Sequence, residues 1–134
     1  MPKRKYTVKS ISLNGGIIVT AFGDPSKSNR VSDLKLKVTQ YSAVPQYIKV
    51  CKVLSEDNKI AKPKFSVTTI PIPACNCGLF DFKNVYVTEI IGQWIPTGKP
   101  NQEVDVSITV ENKRSINEKN RIDSKICKAR VGVI

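Results

Sequence analysis

Apolar residues fall at every second position through most of this chain, and no ten-residue stretch sustains the three-to-four spacing of an amphipathic helix. The pattern is strongest from Val85 to Val110. Val85, Val87, Glu89 and Ile91 alternate there with Tyr86, Thr88, Ile90 and Trp94, so both faces of the predicted strand carry bulk, as a strand between two layers would. Gly92 breaks the alternation. Pro96 to Asn101 is turn chemistry, with proline fixing φ and glycine and asparagine tolerating positive φ. Beyond it Val104, Val106, Ile108 and Val110 alternate with Asp105, Ser107, Thr109 and Glu111, one face buried and one wet. Two strands and a turn predict a central hairpin around which the rest of the chain packs.

The other segments repeat this signal. A strand is expected from Tyr6 to Leu13, joined through Asn14-Gly15-Gly16 to a second from Ile17 to Phe22, because Asn-Gly between β-rich runs is the strongest short-range hairpin signal. Gly23 to Asn29 is a polar loop. Leu34, Leu36 and Val38 then alternate with Lys35, Lys37 and Thr39, and Tyr47 to Leu54 forms a further strand. In that strand simple alternation sets Tyr47, Lys49, Cys51 and Val53 against Ile48, Val50, Lys52 and Leu54. Ser55 to Pro63 is a loop long enough to cross between sheets, and Phe65 to Ile72 a strand that must leave the sheet at Pro71 and Pro73, which remove ladder donors. Phe80 and Phe82 are expected to pack beneath the central hairpin. Glu111 to Lys125 is the most polar segment and reads as a loop; Ile126 to Ile134 returns to strand, with Cys127, Ala129, Val131 and Val133 opposite Lys128 and Arg130.

The result is an all-β chain: a single-domain antiparallel β-sandwich, jelly-roll-like, or a closed β-barrel of about eight strands. Residues 1–5 form a basic N-terminal arm and residues 6–134 the domain. At 134 residues and 40% hydrophobic composition the chain buries a core without metal or disulfide staples.

Charge changes the picture most. Lysine and arginine number 22 against 11 acidic residues, a net charge of +11, and a field of that sign draws phosphate backbones or anionic membrane surfaces. Histidine is absent, which excludes histidine-dependent acid–base chemistry and most catalytic zinc sites. Gly15-Gly16 lacks the lysine spacing of a phosphate loop, and Asp81, Glu89, Glu103, Asp105 and Glu111 lie where the strand pattern points them at solvent. No catalytic set, cofactor, metal or small-molecule substrate is expected. Cys51, Cys75, Cys77 and Cys127 are expected as reduced thiols, since no apolar leader follows Met1 to Lys5; Cys75 and Cys77 lack the paired spacing of structural zinc. The expected setting is a virion, or a host cytoplasm or nucleus, and not secretion.

A rigid β-core, edges suited to self-assembly and a positive surface are similar in kind to viral coat and matrix proteins. That analogy implies a self-assembling homo-oligomer that contacts nucleic acid, with an anionic membrane as the other polyanion such a surface serves. Lys3, Arg4 and Lys5 in the arm, and Lys113, Arg114, Lys119, Arg121, Lys125 and Lys128 toward the C-terminus, are its candidate contacts. The alternative is a single-stranded nucleic-acid binder on an OB-like barrel. It would use Lys35, Lys37, Lys49 and Lys52 with Tyr41 and Tyr47 as stacking platforms. A second alternative is an accessory protein that binds a partner protein and no polyanion.

Overall fold

In a computed structural model the described residues are 6–7, 9–27, 30–56, 61–65, 67–76, 85–97, 101–117 and 119–134, and none of them is helical. Among the described residues ten strands form two antiparallel sheets: β1 (Tyr6–Thr7), β2 (Ile11–Leu13), β3 (Ile17–Gly23), β4 (Ser32–Gln40), β5 (Gln46–Ser55), β6 (Ala61–Phe65), β7 (Thr69–Ile72), β8 (Tyr86–Pro96), β9 (Glu103–Lys113) and β10 (Asp123–Gly132). The first sheet runs β1-β3-β4-β8-β6, with β2 also on β3; the second runs β10-β9-β5-β7. This is the sandwich of the two expected architectures. One side closes into a half-barrel, because β10 packs along β1, β2 and β3, and Ser26 forms a parallel bridge with Val133 beyond its end.

Alternation decides which side chains fill the space between the sheets. Ile17, Val19, Ala21, Leu34, Leu36 and Val38 of the first sheet meet Ile48, Val106, Ile108, Cys127, Ala129 and Val131 of the second, all fully buried. Each large aliphatic side chain so removed from water contributes about 1.5–3 kcal/mol. Trp94 is fully buried, and its indole N–H donates to the Asp24 carbonyl at 3.0 Å, as a buried indole requires.

The Asn14-Gly15-Gly16 hairpin forms as expected, with φ of 103° at Gly15 and 78° at Gly16. A chain of buried amides holds it. Asn112 donates to the Asn14 carbonyl (2.6 Å) and to Gln46 (2.8 Å), Gln46 to the Gly15 carbonyl (2.7 Å) and to Gln40 (2.8 Å), and Gln40 to the carbonyls of Val44, Ile72 and Pro73. These bonds tie both sheets together at one end of the sandwich.

Several expectations change. The strands from Val85 to Val110 are not a hairpin: β8 pairs with β4 and β6 in one sheet and β9 with β5 and β10 in the other, so the segment between them crosses layers. Residues 6–13 form two pieces end to end on β3, and residues 65–72 divide between β6 and β7, which lie at edges of different sheets. Pro63 and Pro71 both sit on those edge strands, where a missing donor costs no ladder bond. Gly92 does not end β8; it lets the Phe65 ring lie against the strand, where a Cβ would come within 2.7 Å of two ring carbons. Phe80 and Phe82 lie outside the described residues.

Cysteine state also departs from expectation. Cys75 is disulfide-bonded, whereas Cys51 and Cys127 are free thiols. A compartment sets only a bulk redox poise, whereas a disulfide depends on two sulfurs being held at bonding distance, which sequence spacing does not reveal. Cys77 lies outside the described residues.

Candidate polyanion-binding face

The outer surface of the second sheet gathers most of the sequence-predicted cations, and a β-bulge makes this possible. Through Val50 strand β5 alternates, with Gln46, Ile48 and Val50 inward and Tyr47 and Lys49 outward. The register then shifts between Val50 and Lys52, so Lys52 stands opposite Thr109 and Leu54 opposite Ser107. An extra residue in one strand inverts the phase of everything after it. Lys49 and Lys52, which plain alternation sets on opposite sides, therefore share one face.

Strands β9 and β10 complete that face. Asp105, Ser107, Thr109, Glu111 and Lys113 project outward from β9, while Ile126, Lys128 and Arg130 project from β10 in register with Thr109, Ser107 and Asp105. Cations and small hydroxyls thus interleave across three strands, with the exposed aliphatic side chains of Leu54 and Ile126 among them. The acidic groups among them are engaged: Glu111 is held by Lys113 (3.5 Å) and Arg121 (3.9 Å), and Arg130 contacts Asp105 (3.2 Å) and Glu103 (3.7 Å). Glu111 is only 9% exposed, so it does not face solvent as its place in the pattern implied. Lys49, Lys52 and Lys128 have no ion-pair partner among the described residues and present their charge to water.

Other predicted residues fall elsewhere. Lys35 and Lys37 lie on the outer surface of the first sheet, on the far side of the sandwich from Lys49 and Lys52, so the four lysines do not form one groove. There they line a depression of about 180 Å³ with Phe22, Asp24, Asp33 and Glu89, and Lys35 pairs with Glu89 at 3.9 Å. Arg114 and Lys119 are exposed in the β9–β10 connection, beside Arg121 at the end of the second sheet. Lys125 turns away, donating to the Ser12 carbonyl at 2.6 Å. Tyr47 is half-buried on the cationic face opposite Lys113; Tyr41 is exposed in the β4–β5 connection and does not share that face. Lys3, Arg4 and Lys5 lie outside the described residues. Sequence reasoning missed Arg130, Ser107 and Thr109, although their alternation with Val104, Val106 and Ala129 already marked them as outward.

The titrating groups have legible causes. Burial lifts the Cys51 thiol above its usual pKa, and Glu111 adds to this by hydrogen bond and by charge. Burial pushes Cys127 up to about 11. Asp123 is held below the usual carboxylate range, first by the Asn14 N–H that donates to it at 2.9 Å, with the Ser124 N–H at 2.8 Å assisting. Among the described residues no group of three or more histidine, cysteine or acidic side chains is placed to hold a metal ion, and no helix is long and apolar enough to cross a membrane.

No family model matches the sequence, and no curated protein matches it. Among solved structures the fold is similar to the ASH / PapD-like domain of human CEP192 (PapD-like domain 7), with a TM-score of 0.54 and 9% identity over 82% of this chain and 77% of that one. At that identity the likeness carries the β-sandwich fold alone.

Proposed function

We propose that this chain is a non-catalytic structural protein of the coat or matrix kind that lays the outer face of its second sheet on a nucleic-acid backbone. The observation that carries this reading is the trio Lys49, Lys52 and Lys128, free of ion pairs around the hydroxyls of Ser107 and Thr109. Lysine and hydroxyl donors are the groups that contact phosphate and sugar without reading sequence. The loop cations Arg114, Lys119 and Arg121 extend the same surface, and the net charge of +11 supplies long-range attraction. A single-strand binder is the second reading, favoured by Tyr47, which stands opposite Lys113 on this face.

Fluorescence anisotropy with a labelled mixed-sequence oligonucleotide, over a salt series, tests the face. Lys49→Ala with Lys52→Ala should lower the slope of log affinity against log salt by about 1.4, at about 0.7 per single-strand phosphate contact, while Lys35→Ala with Lys37→Ala leaves it nearly unchanged. Equal loss in both pairs, or no binding at low salt, would overturn the assignment. Light scattering on the same samples separates the two readings. Defined oligomers without oligonucleotide support the coat or matrix kind, and a monomer that shifts only with oligonucleotide supports the single-strand binder.

A further inference from the structure

The outer face of the second sheet exposes Leu54 and Ile126 on separate strands, whereas on the first sheet exposed aliphatics line up along one strand. On β9 the five outward positions, Asp105, Ser107, Thr109, Glu111 and Lys113, are all polar. On β8, which β4 flanks from Tyr86 to Trp94 and β6 from Gly92 to Pro96, Val87, Ile91 and Ile95 point outward and are 46–48% exposed. They form a row along the strand, interrupted only by Glu89 and Gln93. Three aliphatic side chains aligned at this exposure give a covering partner an apolar line to dock on.

Cations flank the two halves of the row from opposite sides, and the acidic Asp33 stands beside Gln93 on β4. On β6, Lys62 stands beside Ile95 and Lys64 beside Gln93; on β4, Lys35 stands beside Ile91 and Lys37 beside Glu89. The two lysine-bearing strands are two strand spacings apart, roughly 10 Å, which is about the width of an α-helix with its side chains. From Val87 to Ile95 the row spans roughly 26 Å, the length of a helix of about 18 residues. The geometry points to this face as the docking site for an acidic amphipathic helix of a partner protein, its apolar side on the β8 row and its carboxylates against the lysines on either flank.

Charge and chemistry select that occupant. A second copy of this chain would set four lysines against four, with only Asp33 and the Lys35-paired Glu89 on each face to answer them, and the acidic groups of its second sheet are already held by Arg130, Lys113 and Arg121. Bases find no stacking plane on aliphatic side chains, and Phe22, on β3, is half-buried. Insertion into a lipid surface would strip water from Glu89 and Gln93 within the row itself. A docked helix covers the same two residues but can bring polar side chains to pair with Gln93, while Glu89 keeps its ion pair with Lys35 at 3.9 Å.

The test is a titration of the full chain with a helical peptide of about 18 residues, leucine on one side and glutamate on both flanks, followed by amide chemical shifts. Shifts should map to β4, β6 and β8, and Ile91→Glu should weaken binding about tenfold or more, as loss of a central anchor does. Lys62→Glu with Lys64→Glu should weaken it several-fold and flatten its salt dependence, so the prediction survives should Ile91→Glu fold poorly. A counterpart peptide with lysine for glutamate should not bind. Lys49→Ala with Lys52→Ala should leave peptide binding intact, which separates this face from the polyanion face. Equal binding of both peptides, no binding of the acidic one, a dimer that Ile91→Glu dissolves, or loss of oligonucleotide or phosphatidylserine-vesicle binding in Ile91→Glu would each overturn the inference.

Discussion

Replacing Gly92 by alanine separates two accounts of a glycine inside a strand. If Gly92 were only a weak point in β8, alanine would stabilise the protein by about 0.4–1 kcal/mol, through a less flexible unfolded chain. The packing predicts the opposite sign. A Cβ at this position meets Cδ1 and Cε1 of Phe65 at 2.7 Å and the Lys64 carbonyl oxygen at 2.8 Å, well inside normal contact. Phe65 can rotate only into a core where it is already 7% exposed, and the carbonyl cannot move without displacing β6. That strand is held by β8 alone within its sheet, over residues 61–65. Overpacking of this kind costs about 1–3 kcal/mol, so after the unfolded-state gain a net loss of about 1–2 kcal/mol is expected. Urea unfolding followed through Trp94, two residues away and fully buried, would register it as a lower midpoint with an unchanged slope. Phe65→Leu should rescue part of the loss, since it removes the ring contact and leaves the carbonyl contact in place; the double variant should therefore fall short of the sum of the single costs. A neutral or stabilising Gly92→Ala would refute the argument, and with it the close β6–β8 approach that sets the spacing of the flanking lysines.

Further expectations concern the titrating groups. Cys127, buried with a pKa near 11, should resist thiol labelling at pH 8 until the protein unfolds, whereas exposed Cys51 should label in the native state but more slowly than a free peptide thiol; mass mapping of labelled peptides reads both. Asp123 has a folded pKa below its unfolded value, so its contribution is present above the unfolded pKa and is lost as pH falls through the folded one. The stability gap between the wild type and Asp123→Asn should thus be full at neutral pH and shrink in acid, below about pH 4; a gap that stays constant across an acid series of urea titrations would contradict this.

Alternation made the strands legible because it records which side of each segment is buried, and that is a local property. Pairing is not local. The segment from Val85 to Val110 has the composition of a hairpin, yet the chain crosses layers between β8 and β9, and no residue in the turn announces which partner each strand will take. The cationic face was obscured for a related reason. A single bulged residue at Cys51 inverts the phase of β5, moving Lys52 and Leu54 to the side of Tyr47 and Lys49, and a bulge without glycine leaves little trace in sequence. Lys35 and Lys37 carry the same lysine alternation as β5 but belong to the other sheet, so resemblance of pattern did not mean proximity.

Strand β8 carries the more instructive disagreement. Its sequence has bulk on both faces, the mark of a strand between two layers. The fold supplies one layer: Ile90 and Trp94 are buried against the second sheet, while Val87, Ile91 and Ile95 remain near half exposed on the opposite face. Neighbouring β4 shows that the chain can make that face polar, since Asp33, Lys35, Lys37 and Thr39 occupy the adjacent positions. Along the centre of the face aliphatic residues alternate with Glu89 and Gln93, and at its margins four lysines outnumber the one acidic residue, Asp33. A partner helix completes the second layer that the sequence of β8 is patterned for, and the lysines on β4 and β6 fix the sign of the charge it must carry.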